Sequence, residues 1–264
     1  MTFNPNSASV KKVSKFKIFL TLFLLGLTGV FSLLLAPVNI PEGTELPLSL
    51  STLKIIGLIQ SSILLGIATF IGSNLSTRVG FSTPLIKAFY NHTGVRSIFS
   101  KQIIFGIIGG AIAYIFSAII LKLTEPFLPA AYLALNQNPD VQIPLLTRVL
   151  YGGIVEELLI RWGLMTFLVW LPWKIFQKAS GTPKSIFYWF GITVAAAIFG
   201  IGHLPLLFSL IAQPTILLIG LIMALNMITG IIAGWLYWRK GLEAAIFAHM
   251  TFHLILVSVS EIIN

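Results

Sequence analysis

The chain has 264 residues, of which 56% are hydrophobic and only 9% are charged, and its formal net charge is +9. A soluble domain carries about 25% charged residues because its surface faces water, so this composition excludes a water-soluble globule. The basic residues stand singly or in small groups at the ends of apolar runs, which excludes a nucleic-acid-binding surface. Cysteine is absent, which excludes a disulfide framework, a thiolate zinc site and a cysteine nucleophile.

Seven apolar segments are long enough to cross a membrane as helices, which takes roughly 20 residues for about 30 Å of hydrocarbon. In chain order they cover about 16–36, 52–74, 101–123, 145–172, 186–209, 214–238 and 242–262. The first segment exceeds the roughly 7–15 apolar residues of a signal peptide, so we expect it to remain as a membrane anchor. The sequence therefore predicts an integral membrane protein with an all-α fold, a polytopic membrane helical bundle of about seven transmembrane helices.

Charged residues between these segments predict the orientation, because short loops rich in lysine and arginine remain in the cytoplasm. The basic regions are the N-terminus with Lys11, Lys12, Lys15 and Lys17, the longest loop at about 75–100, the loop after segment four and the turn after segment six. The regions between them are acidic or uncharged, with Glu42, Glu45, Glu125 and Asp140. This alternation predicts a cytoplasmic N-terminus and leaves a re-entrant piece around 204–213 as an alternative. We expect a prokaryotic plasma membrane or an organellar membrane.

Two glycine pairs have the small-xxx-small spacing that lets membrane helices approach closely. They are Gly106 with Gly110 and Gly230 with Gly234. We expect both pairs to serve packing within one chain, with dimerisation as the alternative.

Ionisable side chains interrupt three of the predicted spans. Segment four contains Glu156, Glu157 and Arg161, segment five ends near His203, and segment seven contains His249 and His253. A charge at the bilayer centre costs roughly 2.5–3.5 kcal/mol, so such groups face a bundle interior or a wet cavity. His92, in the basic loop, is expected to be solvated.

The two adjacent glutamates have different surroundings in sequence. Glu157 and Arg161 are four residues apart, which predicts a positioning ion pair on one helix face. Glu156 points about 100° away and has no partner nearby in sequence. An unpaired buried carboxylate suits a general base, and a histidine from another helix would be its natural partner.

The spacing and position of the histidines suggest a candidate metal site. His249 and His253 are four residues apart on one helix face, the spacing with which helical zinc sites bring two histidines onto one metal. His203 precedes Pro205, which we expect to end or kink segment five. No metal is assigned, and the candidate ligands of a divalent zinc ion are Glu156, His203, His249 and His253.

Three motifs in chain order resemble those of a known family. They are Glu156-Glu157-xxx-Arg161, Phe199-xxx-His203 and Phe247-Ala248-His249. They resemble the motifs of the CAAX-protease and bacteriocin-processing family of intramembrane endopeptidases, also called the Abi family. The resemblance covers about 145–258, so we divide the chain into N-terminal helices without a motif, 1–140, and a catalytic helical core, 141–264.

The resemblance implies a membrane protease that hydrolyses a peptide bond in a peptide or protein substrate, with or without a lipid anchor. It implies that Glu156 is the general base, that His203 helps it to activate water, and that His249 stabilises the oxyanion. The family places Asn or a similar residue four positions after that histidine, whereas this chain has His253. The glutamate mechanism requires no cofactor, although zinc remains an alternative.

Two other classes of function stay open. One is a non-proteolytic membrane scaffold or a bacteriocin self-immunity protein, which would keep the same residues for packing. The other is a proton-coupled transporter, because intramembrane Glu, Arg and His can relay protons.

Overall fold

The computed structural model describes residues 12–38, 47–138 and 142–263 of the chain. Within these ranges all regular structure is helical, which confirms the predicted all-α bundle. The α- and π-helices are α1 (Lys15–Ser32), α2 (Leu50–Leu75), α3 (Pro84–Asn91), α4 (Val95–Thr124), α5 (Ala130–Gln137), α6 (Leu145–Thr147), the π-helices π1 (Arg148–Glu156) and π2 (Leu158–Met165), α7 (Thr166–Phe176), α8 (Ser185–Leu210), α9 (Ile216–Arg239) and α10 (Leu242–Ile263). Lys11, Glu42, Glu45 and Asp140, which support the predicted orientation, lie outside the described residues.

Polar side chains begin three of the long helices. Ser14, Ser49 and Thr215 each accept a hydrogen bond from the backbone N–H three residues further on, at the start of α1, α2 and α9. These bonds satisfy backbone donors that the first helical turn leaves without a partner. The starts of these three helices are therefore encoded locally.

Six helices of the described chain are long and apolar enough to cross a membrane. They correspond to six of the seven predicted spans. The fourth predicted span differs, because residues 145–176 form α6, π1, π2 and α7 in succession instead of one α-helix. We call this continuous run the motif helix, since it carries Glu156, Glu157 and Arg161.

The predicted glycine contacts lie within the chain. A methyl group built on Gly110 would meet the Ala248 carbonyl and Thr251 of α10, and one on Gly230 would lie 2.7 Å from the Ala196 Cβ of α8. Glycine thus lets α4 pack closely on α10 and α9 on α8. The prediction of intramolecular packing is confirmed.

The two N-terminal helices pack along the motif helix. A methyl group on Gly26 of α1 would lie 3.0 Å from Leu158, and one on Gly163 would lie 2.6 Å from the Ala68 Cβ of α2. The Thr147 hydroxyl also donates to the Ser32 carbonyl at 2.8 Å. These contacts hold the motif helix from one side, while α8, α9 and α10 surround it from the other. The division at 140/141 stays a prediction.

The predicted basic loop at about 75–100 contains the short helix α3, and α4 begins in it at Val95. The loop is fixed to the start of α10, because the Leu242 N–H donates to the Ser82 carbonyl at 3.1 Å and the Ile86 N–H donates to Glu243 at 3.0 Å. Burial lowers the pKa of Lys87, and the Glu243 carboxylate raises it by a smaller amount. His92 is exposed, as predicted.

Pro205 does not end α8, which continues to Leu210. The last turn of this helix is held by packing, since Leu207 is buried against Leu218 and Leu221 of α9. A proline removes one backbone donor, and membrane helices accommodate this where neighbouring helices support the turn. The helix end expected at Pro205 is therefore not observed, whereas the kink that the sequence left as the alternative stays a prediction. Residues 204–210 continue α8 and form no separate re-entrant piece.

Candidate active site

The motif helix is π-helical at the first glutamate and again beyond the second. The π1 segment ends at Glu156, Glu157 follows it, and π2 begins at Leu158. Such i→i+5 bonding is rare and occurs frequently at functional sites. Because a π-helix is wider than an α-helix, successive side chains turn through less than the roughly 100° of α-helical geometry.

The predicted ion pair between Glu157 and Arg161 is present. The Arg161 Nη1 lies 3.1 Å from the Glu157 Oε1, and the two side chains are 1% and 0% exposed. The pair lacks the angles of a hydrogen bond, and within the described residues both Nη atoms of Arg161 and the Glu157 Oε2 have no hydrogen-bond partner. The guanidinium also lies over the Phe199 ring, 5.0 Å from its centroid. This arrangement compensates the buried charges without satisfying every donor.

His249 lies between the two glutamates. Its Nδ1 donates a hydrogen bond to the Glu157 Oε1 at 2.8 Å, and its Nε2 lies 3.9 Å from the Glu156 Oε2. Because a carboxylate only accepts, the proton of this hydrogen bond belongs to Nδ1. The sequence predicted only Arg161 as the partner of Glu157, so the bond to His249 is a new finding.

Glu156 is the more accessible glutamate, with 21% of its side chain exposed. The 3.9 Å between the Glu156 Oε2 and the His249 Nε2 is too long for a direct hydrogen bond. Both atoms are therefore able to bind one water molecule. Among the described residues, no carboxylate lies within ion-pair distance of His203, whose Nδ1 instead donates to the Phe199 carbonyl at 2.8 Å. Cooperation of Glu156 with His203 stays a prediction.

Aromatic contacts join the three histidines of the site. Phe199 contacts His203 edge-on, with ring centroids 4.6 Å apart, and His249 edge-on at 5.8 Å. His253 stacks on His249 at 4.8 Å, with 22° between the ring planes. The structure thus brings all six predicted site residues into one connected cluster. Phe199 connects the rings, and its position four residues before His203 was the one sequence signal for this role.

His253 is held closely by the motif helix. A methyl group on Gly152 would lie 2.7 Å from its Nε2, so the glycine leaves room for the ring. Its Nδ1 is buried and has no hydrogen-bond partner in the described chain. The His253 ring is therefore positioned by packing and not by a hydrogen bond from its Nδ1.

The candidate zinc ligands do not form a metal site in this structure. No three side chains of the His, Asp and Glu types in the described chain are arranged to hold a metal ion. His203 and His249 each donate from Nδ1 to a protein acceptor, and the Glu156 Oε2 lies 3.9 Å from the His249 Nε2. The four candidate ligands are therefore not gathered around one point as a zinc site requires.

Comparison with known proteins identifies the same segment as the motifs do. Residues 139–255 match a family model described as Rce1-like, type II CAAX prenyl endopeptidase. All six site residues fall inside this match, which confirms the predicted resemblance to the CAAX-protease family. Together with the six apolar helices, it indicates an integral membrane protein. The comparisons with curated proteins and with solved structures gave no match.

Proposed function

We propose, from the match of residues 139–255 to a CAAX endopeptidase family, that the protein is an intramembrane endopeptidase that uses glutamate-activated water. The observation that carries the proposal is the position of His249 between Glu157 and Glu156, inside a bundle of membrane helices. A buried carboxylate beside an oriented imidazole suits proton transfer more than packing, because burying charge is costly.

Glu156 is the general base. It takes a proton from a water molecule, and the water oxygen attacks the carbonyl carbon of the scissile peptide bond. The carbonyl oxygen becomes an oxyanion, the C–N bond then breaks, and Glu156 returns the proton to the leaving amine. Water and peptide give one carboxylic acid and one amine, and no covalent enzyme intermediate forms.

Glu157 and Arg161 position His249. The hydrogen bond from Nδ1 to Glu157 fixes the orientation of the imidazole and leaves Nε2 towards Glu156. An Nε2 donor to the oxyanion then requires the doubly protonated ring, because the Nδ1 proton is already used by Glu157. Arg161 compensates the charge of Glu157 and contacts neither water nor substrate in this scheme.

His203 and His253 complete the site. Because the Nδ1 of His203 donates to a backbone carbonyl, its Nε2 is the atom available to water or substrate. His253, at the position where the family has Asn, is the second candidate donor to the oxyanion. The substrate we propose is a membrane-bound peptide or protein, with a prenylated tail as the first class to test.

The proposal is tested by comparing the termini of membrane peptides, by mass spectrometry, in cells with the native protein and with Glu156→Gln at equal abundance. We expect peptide termini that occur with the native protein alone. Glu125→Gln is the matched control, because it alters an exposed carboxylate paired with Lys122 and should leave these termini unchanged. Identical termini in all three would overturn the proposal and favour the scaffold or immunity function.

A further inference from the structure

Helix α9 has one amide side chain near the middle of an apolar span. Asn226 lies ten residues after Ile216 and thirteen before Arg239, and the only other side chain between Thr215 and Arg239 that is polar without being aromatic is Thr229. Placing a primary amide in the membrane costs free energy unless its hydrogen-bonding groups are used. Its position therefore requires an explanation that apolar packing does not provide.

Asn226 lies on the inward face of α9. Ala233 and Tyr237 follow it by seven and eleven residues, about two and three helical turns, so each points within about 20° of the direction of Asn226. Ala233 is 1% exposed, and Tyr237 is 0% exposed and hydrogen-bonded to the Thr166 hydroxyl of the motif helix. Asn226 therefore faces the interior, between α8 and the motif helix.

The depth of Asn226 matches that of the site. On one side of it along α9, a methyl group on Gly230 would lie 3.5 Å from the Arg161 Nη2. On the other side, Met223 contacts Gly200 of α8, where a methyl group would lie 3.0 Å from the sulfur. Along the bundle, Asn226 therefore lies between the Gly230–Arg161 contact and the Met223–Gly200 contact. Phe199 of α8, next to Gly200, lies at the same depth.

The amide has hydrogen-bonding capacity left. Its Nδ2 donates to the Ile222 carbonyl at 2.8 Å, and in the described chain no group takes its second N–H or its carbonyl oxygen. Residues 222–228 of α9, Asn226 among them, are all partly exposed, whereas Ala233 and Tyr237 further along the same face are buried. Packing around α9 is therefore looser at the level of Asn226, which leaves its amide accessible.

We infer that Asn226 binds the backbone of the peptide substrate beside the scissile bond, an inference that rests on the proposed function. A primary amide with one free N–H and a free oxygen pairs with the C=O and N–H of an extended peptide. Such a contact fixes the substrate without depending on its side chains. Asn226 is thus a substrate-binding residue on a helix that carries none of the three motifs.

Cysteine labelling tests the position without relying on activity, because the native chain has no cysteine. Asn226→Cys should react with a water-soluble thiosulfonate reagent, as should the exposed control Ser97→Cys. Gln60→Cys is the negative control, since it replaces an amide on the lipid-facing side of α2. Labelling at 226 that is no faster than at 60 would overturn the inference.

Kinetics test the contact itself, with the purified protein in liposomes and a quenched fluorescent peptide with a prenylated CAAX-type tail. We expect Asn226→Leu to raise KM about three- to tenfold with little change in kcat, the loss of one or two neutral hydrogen bonds. Gln60→Leu, the matched control, should leave both constants unchanged.

The two ways of failing differ. If the native protein cleaves and Asn226→Leu has the native KM, this inference alone is wrong. If the native protein cleaves no faster than Glu156→Gln and yields no terminus of its own in cells, the proposed function fails and the inference fails with it.

Discussion

Replacing Arg161 with methionine tests whether Arg161 and Glu157 stabilise the fold jointly, through their buried ion pair. Arg161 and Glu157 are 3.1 Å apart with side chains 1% and 0% exposed, so solvent does not screen the pair. Methionine keeps a long apolar side chain and removes the charge, so the change leaves little cavity. The consequence of the substitution is an isolated carboxylate rather than lost packing.

Removing one partner of a buried pair costs about 3–5 kcal/mol, because the remaining charge loses its compensation. Glu157 keeps the hydrogen bond from His249 at 2.8 Å, so we expect the lower end, about 3 kcal/mol. Arg161→Met with Glu157→Gln leaves no charge at the pair, and the Gln oxygen can still accept from His249. The double variant should therefore be more stable than Arg161→Met alone, by about 1–2 kcal/mol.

The free energies can be measured by reversible unfolding in mixed micelles with increasing dodecyl sulfate, followed by tryptophan fluorescence, since the buried Trp162 adjoins Arg161. Lys122→Met is the control, because the Lys122–Glu125 pair is 82% and 46% exposed and should give no resolved change. The reasoning would be refuted if the loss of unfolding free energy in the double variant equalled the sum of the losses in Arg161→Met and in Glu157→Gln. It would also be refuted if Arg161→Met were as stable as the Lys122→Met control.

Substitutions at two positions, Gly152 and His253, test the role of His253. Gly152→Ala places a methyl group 2.7 Å from its Nε2, so the ring must move, and we expect initial cleavage rates about ten- to a hundredfold lower. Gly220→Ala, whose methyl group would meet nothing within 4 Å, should cleave at the native rate. His253→Asn keeps an N–H donor and should retain activity within about tenfold, whereas His253→Leu should lose about 10²–10³-fold if the ring binds the oxyanion. Equal rates for Asn and Leu would exclude this role.

The membrane helices could be predicted from sequence because hydrocarbon thickness limits their length. The predicted segment 242–262 agrees with α10, and 186–209 with α8, to within one residue at each end. The short helices α3 and α5 were not predicted, since eight residues leave little periodicity to detect. The π-helical segments were not predicted either, because apolar composition carries no signal for the register of backbone hydrogen bonds.

The site could be predicted only where its contacts are local. Glu157 and Arg161 are four residues apart, so helical spacing was sufficient to predict their pair. The contact of Glu157 with His249 joins residues 92 positions apart and depends on how α10 packs against the motif helix. Sequence spacing could place each group on a face of its own helix, but not select which histidine meets which glutamate.

The motif helix is π-helical on both sides of Glu157, and its two adjacent glutamates lie near one imidazole. Adjacent residues of an α-helix point about 100° apart, and the wider π-helix reduces this angle only modestly. Here Glu157 binds one ring nitrogen at 2.8 Å and Glu156 lies 3.9 Å from the other. In the mechanism that we propose, Glu157 orients His249, and Glu156, whose side chain is 21% exposed, takes the proton from water. The proposed mechanism thus assigns orientation of the imidazole and proton transfer to two carboxylates that are neighbours in sequence.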